Sequence, residues 1–201
     1  MVMGGTPWCG MIISSAKVPA PGSSVVVFGC GGVGISCIMG AKIAGASVIV
    51  AVDLNDGKLE TAKAFGATHS CKPNELDSLK ASLTGGDGFD YSFEAIGLPT
   101  TMRASYDAIR RGGTACIVGV GKLDEFVSFS AFELFFSEKN LVGSYYGSAD
   151  VRTDFHKLLG FWKDGQLDLD GMITRRIKLD EINDAFAAMQ RGEVIRQVIS
   201  F

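Results

Sequence analysis

A glycine-rich turn between an apolar run and a helix-like stretch is the feature that most constrains the fold. The apolar residues Val25–Phe28 lead directly into the pattern G-x-G-x-x-G at residues 29–34. A second apolar run, Val48–Val52, ends on Asp53, 19 residues after the turn. Strand, glycine turn, helix, strand and terminal carboxylate in this order are typical of a Rossmann dinucleotide-binding unit. We therefore predict that this part of the chain binds a dinucleotide.

Each glycine of the turn has its own physical reason. Gly29 permits the tight turn after the strand, Gly31 lets a pyrophosphate approach the backbone, and Gly34 lets the helix pack closely on the sheet. Free amide groups and the dipole at the start of the helix attract the phosphates. Asp53 would accept hydrogen bonds from both ribose hydroxyls and would repel a 2′-phosphate, so NAD is favoured over NADP. The alternative is an ordinary βαβ unit that binds no ligand.

Composition excludes several classes of protein. At 201 residues with 47% hydrophobic residues, the chain is long enough to bury a core. A net charge of −3 gives no basic surface for nucleic acid, and no apolar run approaches the roughly 18 residues of a membrane span. The start of the chain lacks the features of a signal peptide. Five scattered cysteines, at positions 9, 30, 37, 71 and 116, indicate reduced thiols. We therefore predict a cytoplasmic protein that binds neither nucleic acid nor membranes.

Alternating strand and helix patterns predict an α/β fold with a doubly wound parallel sheet of six strands. The predicted strands are 24–29, 47–52, 67–71, 89–94, 114–119 and 141–146. The predicted helices are 8–18, before the punctuation at 19–22, and then 32–45, 56–65, 75–83 and 99–110. Later elements are predicted at 150–163 (helix), 173–179 (edge strand), 180–190 (helix) and 194–201 (strand). Because six strands complete the nucleotide fold, we expect these late elements to pack elsewhere.

Five segments occur in an order that resembles the medium-chain, zinc-dependent alcohol dehydrogenase family, near its glutathione- or mycothiol-dependent formaldehyde dehydrogenase branch. They are the glycine turn, Asp53 with Lys58, Glu94–Gly97, Val118–Gly121 and Arg191–Arg196. The resemblance covers the whole chain but only the back part of the family's usual length. It implies a helical remnant of the catalytic domain at 1–21, an NAD-binding Rossmann domain at 22–148, and a C-terminal segment, 149–201, that packs on an incomplete catalytic domain.

By position, the resemblance implies that the turn holds the pyrophosphate of NAD and that Val33 packs on the nicotinamide. Asp53 would bind the adenosine ribose with Lys58 beside it, and Ile96 would form a wall of the adenine cleft. Main-chain groups near the ends of the last two strands would clamp the carboxamide, and Arg196 would reach the pyrophosphate. The implied cofactor residues are Gly29, Cys30, Gly31, Gly32, Val33, Gly34, Asp53, Lys58, Ile96, Val118, Gly119, Val120, Tyr145, Tyr146 and Arg196.

Ordinary structural roles are the alternatives for these residues. Val33 and Ile96 could be core residues, and Lys58 could be a solvated helix charge. Arg196 could be an exposed charge on an edge strand. The cysteines at 30, 37 and 116 are interpreted as small buried hydrophobic residues.

The resemblance also implies a zinc ion that polarises the alcohol oxygen so that hydride can leave for NAD. The family takes a cysteine and a His-Glu pair from an N-terminal domain, and a second cysteine just before the cofactor domain. Where that cysteine is expected, the sequence has Met3-Gly4, and Cys9 lies six residues away. A thioether is a poor zinc ligand. We therefore expect this chain to bind no zinc, to hold no catalytic residue and to be inactive alone.

Two functions remain open from the sequence. The first is the NAD-binding part of an alcohol or formaldehyde dehydrogenase, which would act on a small alcohol or hydroxymethyl-thiol only with its catalytic half. The second is a stand-alone NAD-binding protein with a regulatory or scaffolding role. An uncovered apolar surface on residues 150–201 would favour the first. Because the family pairs cofactor domains through the last strand, we expect a homodimer through residues 141–146.

Overall fold

A parallel sheet of six strands organises the chain. The computed structural model describes the backbone of residues 2–3 and 19–201, and the side chains from residue 19 onward except those of residues 146 and 151. After a two-residue strand, β1 (Val2–Met3), the sheet strands are β2 (Ser24–Phe28), β3 (Val48–Val52), β4 (His69–Cys71), β5 (Phe89–Glu94), β6 (Ile109–Ile117) and β7 (Asn140–Gly143). All six are parallel, in the order β4-β3-β2-β5-β6-β7. This confirms the predicted doubly wound α/β fold.

Helices cover both faces of this sheet because its strands are apolar on both sides. Val25 and Val27 of β2 belong to one buried cluster, whereas Val26 and Phe28 belong to the other. The first face is covered by α1 (Gly32–Ile43) and α2 (Asp56–Ala64), and the second by α3 (Leu76–Thr84) and α4 (Pro99–Ala108). The strand order reverses at β2, because β3 and β4 lie on one side of it and β5 to β7 on the other. This switch point opens a crevice at the carboxyl ends of the strands.

The C-terminal segment forms a second, smaller layer. It consists of α6 (Val151–Lys163), β8 (Ile173–Ile177), α7 (Ile182–Gln190) and β9 (Arg196–Ile199). Strand β9 pairs antiparallel with β1 and parallel with β8 in a three-stranded sheet. Leu158, Leu167 and Met172 nevertheless belong to the same buried cluster as Ile35 of α1 and Cys116 of β6. The expectation that the late elements all pack elsewhere is therefore wrong, because α1 and α2 leave apolar residues of β6 and β7 on this face for α6 to cover.

Two elements differ from their predicted form. Strand β6 begins at Ile109, inside the predicted helix 99–110, because Gly112 and Gly113 form a bulge in the strand and do not end a helix. Gly112 has φ +70°, and a Cβ on Gly113 would lie 3.0 Å from the carbonyl oxygen of Asp90. Helix α5 (Ala131–Ser137) was not predicted because its apolar residues follow no period. The predicted helix at 8–18 lies outside the described residues.

Among residues 19–201, no helix is both long enough and apolar enough to cross a membrane. The four cysteines in this part of the chain, at positions 30, 37, 71 and 116, are all buried, as interpreted from the sequence for three of them. Burial raises the pKa of the Cys71 thiol to about 11, and Glu75 adds to this effect. These thiols serve as small core groups.

Candidate cofactor site

Two glycines of the turn are required by the fold itself. Gly29 has φ +89°, and its N–H donates a hydrogen bond to the carbonyl oxygen of Val52 at 2.8 Å. A Cβ on Gly34 would lie 1.7 Å from the carbonyl oxygen of Gly29, so only glycine lets α1 start this close to the turn. These observations agree with the predicted reasons for both positions.

Gly31 is not required by anything in the described chain. Its φ of −78° and ψ of −170° are open to any residue, and no heavy atom lies within 4 Å of the position that a Cβ would take. The residue is the N-cap of α1, so the amide groups of the first helical turn face the same open space. A bare backbone at a helix start, with room in front of it, fits a phosphate group.

Asp53 is fixed by the backbone around it. Its Oδ2 accepts a hydrogen bond from the N–H of Cys30 at 2.8 Å, and its Oδ1 accepts one from the N–H of Asn55 at 3.0 Å. Each carboxylate oxygen has a further acceptor site that a ribose hydroxyl can use. The sequence did not reveal the bond to Cys30, which joins the acidic residue to the glycine turn.

The Cys30 side chain has no direct cofactor chemistry. Burial, and then the nearby carboxylate of Asp53, raise the pKa of the thiol to about 12, and its Sγ lies 3.8 Å from the carbonyl oxygen of Val52. A thiol of this kind remains protonated at neutral pH and is a poor nucleophile. A ligand would therefore contact the main chain of Cys30 and would not react with its thiol.

An apolar hollow of about 460 Å³, which we call the Ile96 hollow, lies beside Asp53. Ile96 is 46% exposed and lines it, so the alternative that Ile96 is a core residue is wrong. The hollow is also lined by residues that the sequence reasoning missed, chiefly Leu54, Leu98 and Thr101. Leu98 and Thr101 lie at the start of α4, just after the carboxyl end of β5, and this position in the sequence is the signal that predicts them as lining residues.

A second hollow of about 250 Å³, the Lys58 hollow, joins the glycine turn to the C-terminal segment. Cys30 and Lys58 line one side, and Thr174 and residues 192–195 line the other. A Cβ on Gly192 would lie 3.1 Å from Nζ of Lys58, so this lysine is packed against the segment and is not a freely solvated helix charge. Arg196 follows directly and is only 5% exposed, so its alternative as an exposed edge charge is also wrong.

A third hollow of about 540 Å³ lies between the ends of β6 and β7. It is lined by Val118, Gly119, Val120 and Tyr145 among others, and we call it the Val120 hollow. The side chains of Val120 and Tyr145 are 91% and 86% exposed, so neither is held by the core of the described chain. The predicted strand 141–146 ends earlier, at Gly143, and Tyr146 begins a short 3-10 turn.

Eight of the fifteen predicted cofactor residues line the three hollows: Cys30, Asp53, Lys58, Ile96, Val118, Gly119, Val120 and Tyr145. Val33 is half-buried and packs on the main cluster beside the turn. Among residues 2–3 and 19–201, no group of three or more His, Cys, Asp or Glu side chains could hold a metal ion. The bare helix start, the acidic residue and the apolar hollow fit the parts of a dinucleotide.

Comparison with known proteins identifies the family of the chain. Residues 32–164 match the zinc-binding dehydrogenase family. The chain belongs to this family. The match begins at Gly32, inside the glycine turn, and runs through the end of α6. It confirms the predicted zinc-type alcohol dehydrogenase family.

The relatives of this chain are longer proteins. The chain is 36% identical to alcohol dehydrogenase class-3 of Cereibacter sphaeroides and 35% identical to S-(hydroxymethyl)glutathione dehydrogenase of Paracoccus denitrificans. Each alignment covers 98% of this chain and 55% of the relative. These two relatives also agree with the predicted branch. The chain thus spans about half the length of the curated relatives that it matches.

Solved structures show the same partial coverage. Benzyl alcohol dehydrogenase from Acinetobacter calcoaceticus has a TM-score of 0.89 at 28% identity, covering 96% of this chain and 54% of that chain. A zinc-binding dehydrogenase from Sinorhizobium meliloti 1021, bound to NADP, has a TM-score of 0.79 at 25% identity, covering 96% of this chain and 56% of that chain. Because a protein bound to NADP shares the fold, the fold alone does not select between NAD and NADP.

Proposed function

We propose that this chain is the NAD-binding part of a zinc-type dehydrogenase that oxidises an alcohol or a hydroxymethyl-thiol. The observation that carries the proposal is Gly31, because neither its backbone nor its surroundings need glycine, whereas a pyrophosphate lying on the turn does. Asp53 supports NAD over NADP, because its fixed carboxylate would repel a 2′-phosphate.

The proposed arrangement assigns one part of the cofactor to each hollow. The Ile96 hollow takes the adenine, and Asp53 accepts hydrogen bonds from the ribose. Backbone groups of residues 29–34 hold the pyrophosphate, and Lys58 in the adjoining hollow supplies a positive charge. Arg196, which directly follows the lining residues 192–195, would supply a second one. The nicotinamide, which would accept a hydride when NAD is bound, would contact Val33 and main-chain groups of Val118, Gly119, Val120, Tyr145 and Tyr146. These residues bind and orient the cofactor and leave one face of the ring open to a substrate.

An exposed apolar surface supports the dehydrogenase over the stand-alone regulatory or scaffolding alternative. Leu159, Trp162, Leu179, Phe186 and Phe201 of the C-terminal segment are each at least 39% exposed. Surfaces of this kind are typical of protein contacts. The substrate and the zinc ligands of the proposed enzyme are therefore assigned to protein that contacts this segment, outside the residues described.

A homodimer through residues 141–146 and a cytoplasmic location are parts of the same proposal. Strand β7 is the edge of the six-stranded sheet, and Leu141 on it is 44% exposed. Phe135 and Phe136 of the preceding α5 are 78% and 58% exposed, which adds an apolar surface next to this edge. A monomeric mass in light scattering at micromolar concentration would exclude the dimer.

Calorimetric titration of the chain with NADH and NADPH tests the proposal. We expect NADH to bind at least about tenfold more tightly, because a 2′-phosphate next to Asp53 is a like-charge contact. Zinc analysis and a turnover assay with ethanol or a hydroxymethyl-thiol accompany the titration, and we expect no NADH formation by this chain alone. Absence of NADH binding contradicts the proposal, and bound zinc with turnover contradicts the assignment of catalysis to other protein.

A further inference from the structure

Glu94 is a fully buried carboxylate in the middle of the cofactor crevice. It ends β5, the strand next to the switch point, and its side chain is 0% exposed. Burial of a charged group is costly unless hydrogen bonds compensate for it. Glu94 belongs to one of the five segments that resemble the family, but the resemblance implies no role for it.

One oxygen of this carboxylate holds the loop that follows the strand. Oε1 accepts hydrogen bonds from the N–H of Ile96 at 3.0 Å, the N–H of Gly97 at 2.8 Å and the hydroxyl of Thr101 at 2.7 Å. Ile96 and Leu98 are both 46% exposed, so little apolar packing is available to hold this loop. Three hydrogen bonds to one carboxylate oxygen therefore contribute to holding this wall of the Ile96 hollow, together with the backbone bond from the N–H of Ala95 to the carbonyl oxygen of Phe28.

Glu94 also contacts the opposite wall of the crevice, formed by residues 118–120 after β6, which we call the Val118–Val120 wall. The carbonyl oxygen of Glu94 accepts hydrogen bonds from the N–H groups of Val118 and Gly119, both at 2.9 Å. A Cβ on Gly119 would lie 2.6 Å from Oε2 of Glu94, and a Cβ on Gly97 would lie 2.5 Å from the carbonyl oxygen of Val120. The two walls are thus packed backbone to backbone around this carboxylate.

The second carboxylate oxygen has no evident structural use. Oε2 is buried, and among residues 19–201 it accepts no hydrogen bond. A buried polar atom without a partner lowers stability, so its presence calls for an explanation other than folding. Oε2 lies between the two walls of the crevice, so we look for that explanation in the spacing of the walls.

We propose that Glu94 is the positioning residue that holds the Ile96 wall and the Val118–Val120 wall at the separation that NAD requires. This inference rests on the proposed function, since it assigns adenine to the first wall and nicotinamide to the second. Replacement of the carboxylate by a neutral amide weakens the three hydrogen bonds that hold the loop after β5, so that Ile96 can move and the contact between Gly97 and Val120 loosens.

The test uses three variants and two ligands. Glu94→Gln keeps the shape of the side chain without its charge, Thr101→Val removes one donor, and Glu60→Gln is the matched control, because Glu60 is an exposed residue of α2 paired with Lys63. Calorimetry with AMP reports on the Ile96 wall, and the emission of bound NADH reports on the nicotinamide wall. Each variant is measured well below its own melting temperature.

We expect the affinity for AMP to fall about tenfold in Glu94→Gln and about threefold in Thr101→Val, and to stay within about twofold of wild type in Glu60→Gln. The emission shift of bound NADH should be smaller in Glu94→Gln than in wild type. The double variant should bind AMP no more weakly than Glu94→Gln alone, because both changes act on the same loop. A merely structural role would lower the melting temperature without producing this pattern.

Unchanged binding of both ligands by Glu94→Gln, within about twofold and with a lower melting temperature, overturns the inference. If this variant does not fold, wild-type AMP affinity in Thr101→Val overturns it instead. A wild-type chain that binds neither AMP nor NADH contradicts the proposed function itself, and this inference with it. Wild-type binding combined with an unaffected Glu94→Gln leaves the proposed function standing and removes only the role of Glu94.

Discussion

Replacement of Gly31 by alanine should separate cofactor binding from folding. At this position φ and ψ suit alanine, and the added methyl group meets no atom of the described chain within 4 Å. Gly34→Ala is the matched change, because its methyl group would lie 1.7 Å from the carbonyl oxygen of Gly29. The two variants add the same group three residues apart, one to open space and one into the backbone.

Two small effects on stability nearly cancel in Gly31→Ala. Alanine restricts the unfolded chain, which stabilises the fold by about 0.4–1 kcal/mol. It is a poorer N-cap than glycine for α1, which costs about 0.5–1 kcal/mol. The free energy of unfolding should therefore stay within about 1 kcal/mol of wild type. Gly34→Ala must displace the turn or the helix, at a cost of roughly 1–3 kcal/mol or more.

Chemical unfolding followed by circular dichroism, together with calorimetric titration with NADH, checks this difference. The methyl group of Gly31→Ala occupies the space in which the pyrophosphate would lie, so we expect binding to weaken by about thirtyfold, or about 2 kcal/mol. Gly34→Ala should lose stability and binding together. A stable Gly31→Ala variant that binds NADH within about threefold of wild type would refute the role given to the open turn.

Three further predictions follow from charged and thiol groups. Asp53→Ala should weaken the binding of NADH about tenfold with little effect on the binding of NADPH. The Cys30 N–H that loses its acceptor should cost about 1–3 kcal/mol of stability. Equal losses of affinity for both cofactors in calorimetry contradict the role of Asp53. Burial raises the pKa of Asp90, but hydrogen bonds from Ser24 and Arg110 lower it by a larger amount, so the pKa lies below its ordinary value. Its stabilisation is complete above about pH 4 and is lost as the pH falls through the lowered pKa; unfolding measured from neutral to acid pH should show this loss in wild type and not in Asp90→Asn. Cys30, with its pKa near 12, should resist iodoacetamide in the native state and react after unfolding, as mass spectrometry can show; rapid native alkylation contradicts its burial.

Local patterns predict the part of the fold in which neighbouring residues decide the structure. The runs that form β2 and β3 are apolar on both faces, and both strands are found at their predicted places within one residue. Gly112 and Gly113 were misinterpreted because a glycine pair ends a helix and makes a strand bulge with equal ease, and pairing with β5 decides between the two. Helix α5 has exposed apolar residues on most of its surface, so no periodicity indicates it.

Contacts between distant residues limit prediction of the site more strongly. The glycine turn and Asp53 could be predicted because strand, turn and strand are close in sequence. The packing of Lys58 against Gly192 joins residues more than 130 positions apart, and only the folded chain brings them together. The burial of Arg196 likewise depends on the sheet that β9 makes with β1 and β8, which an alternating pattern alone cannot reveal.

Gly31 and Gly34 show why a glycine motif is ambiguous until the structure is known. The carbonyl oxygen of Gly29 excludes any side chain at Gly34, so every chain that makes this turn needs that glycine, whether or not it binds a ligand. Gly31 is different, because alanine or serine there would fit the backbone, and serine would cap α1 better. Gly31 also lies at the start of α1 in the crevice, where a phosphate group would need the space that a side chain would fill. The proposal of a bound pyrophosphate therefore depends on Gly31 rather than on the motif as a whole.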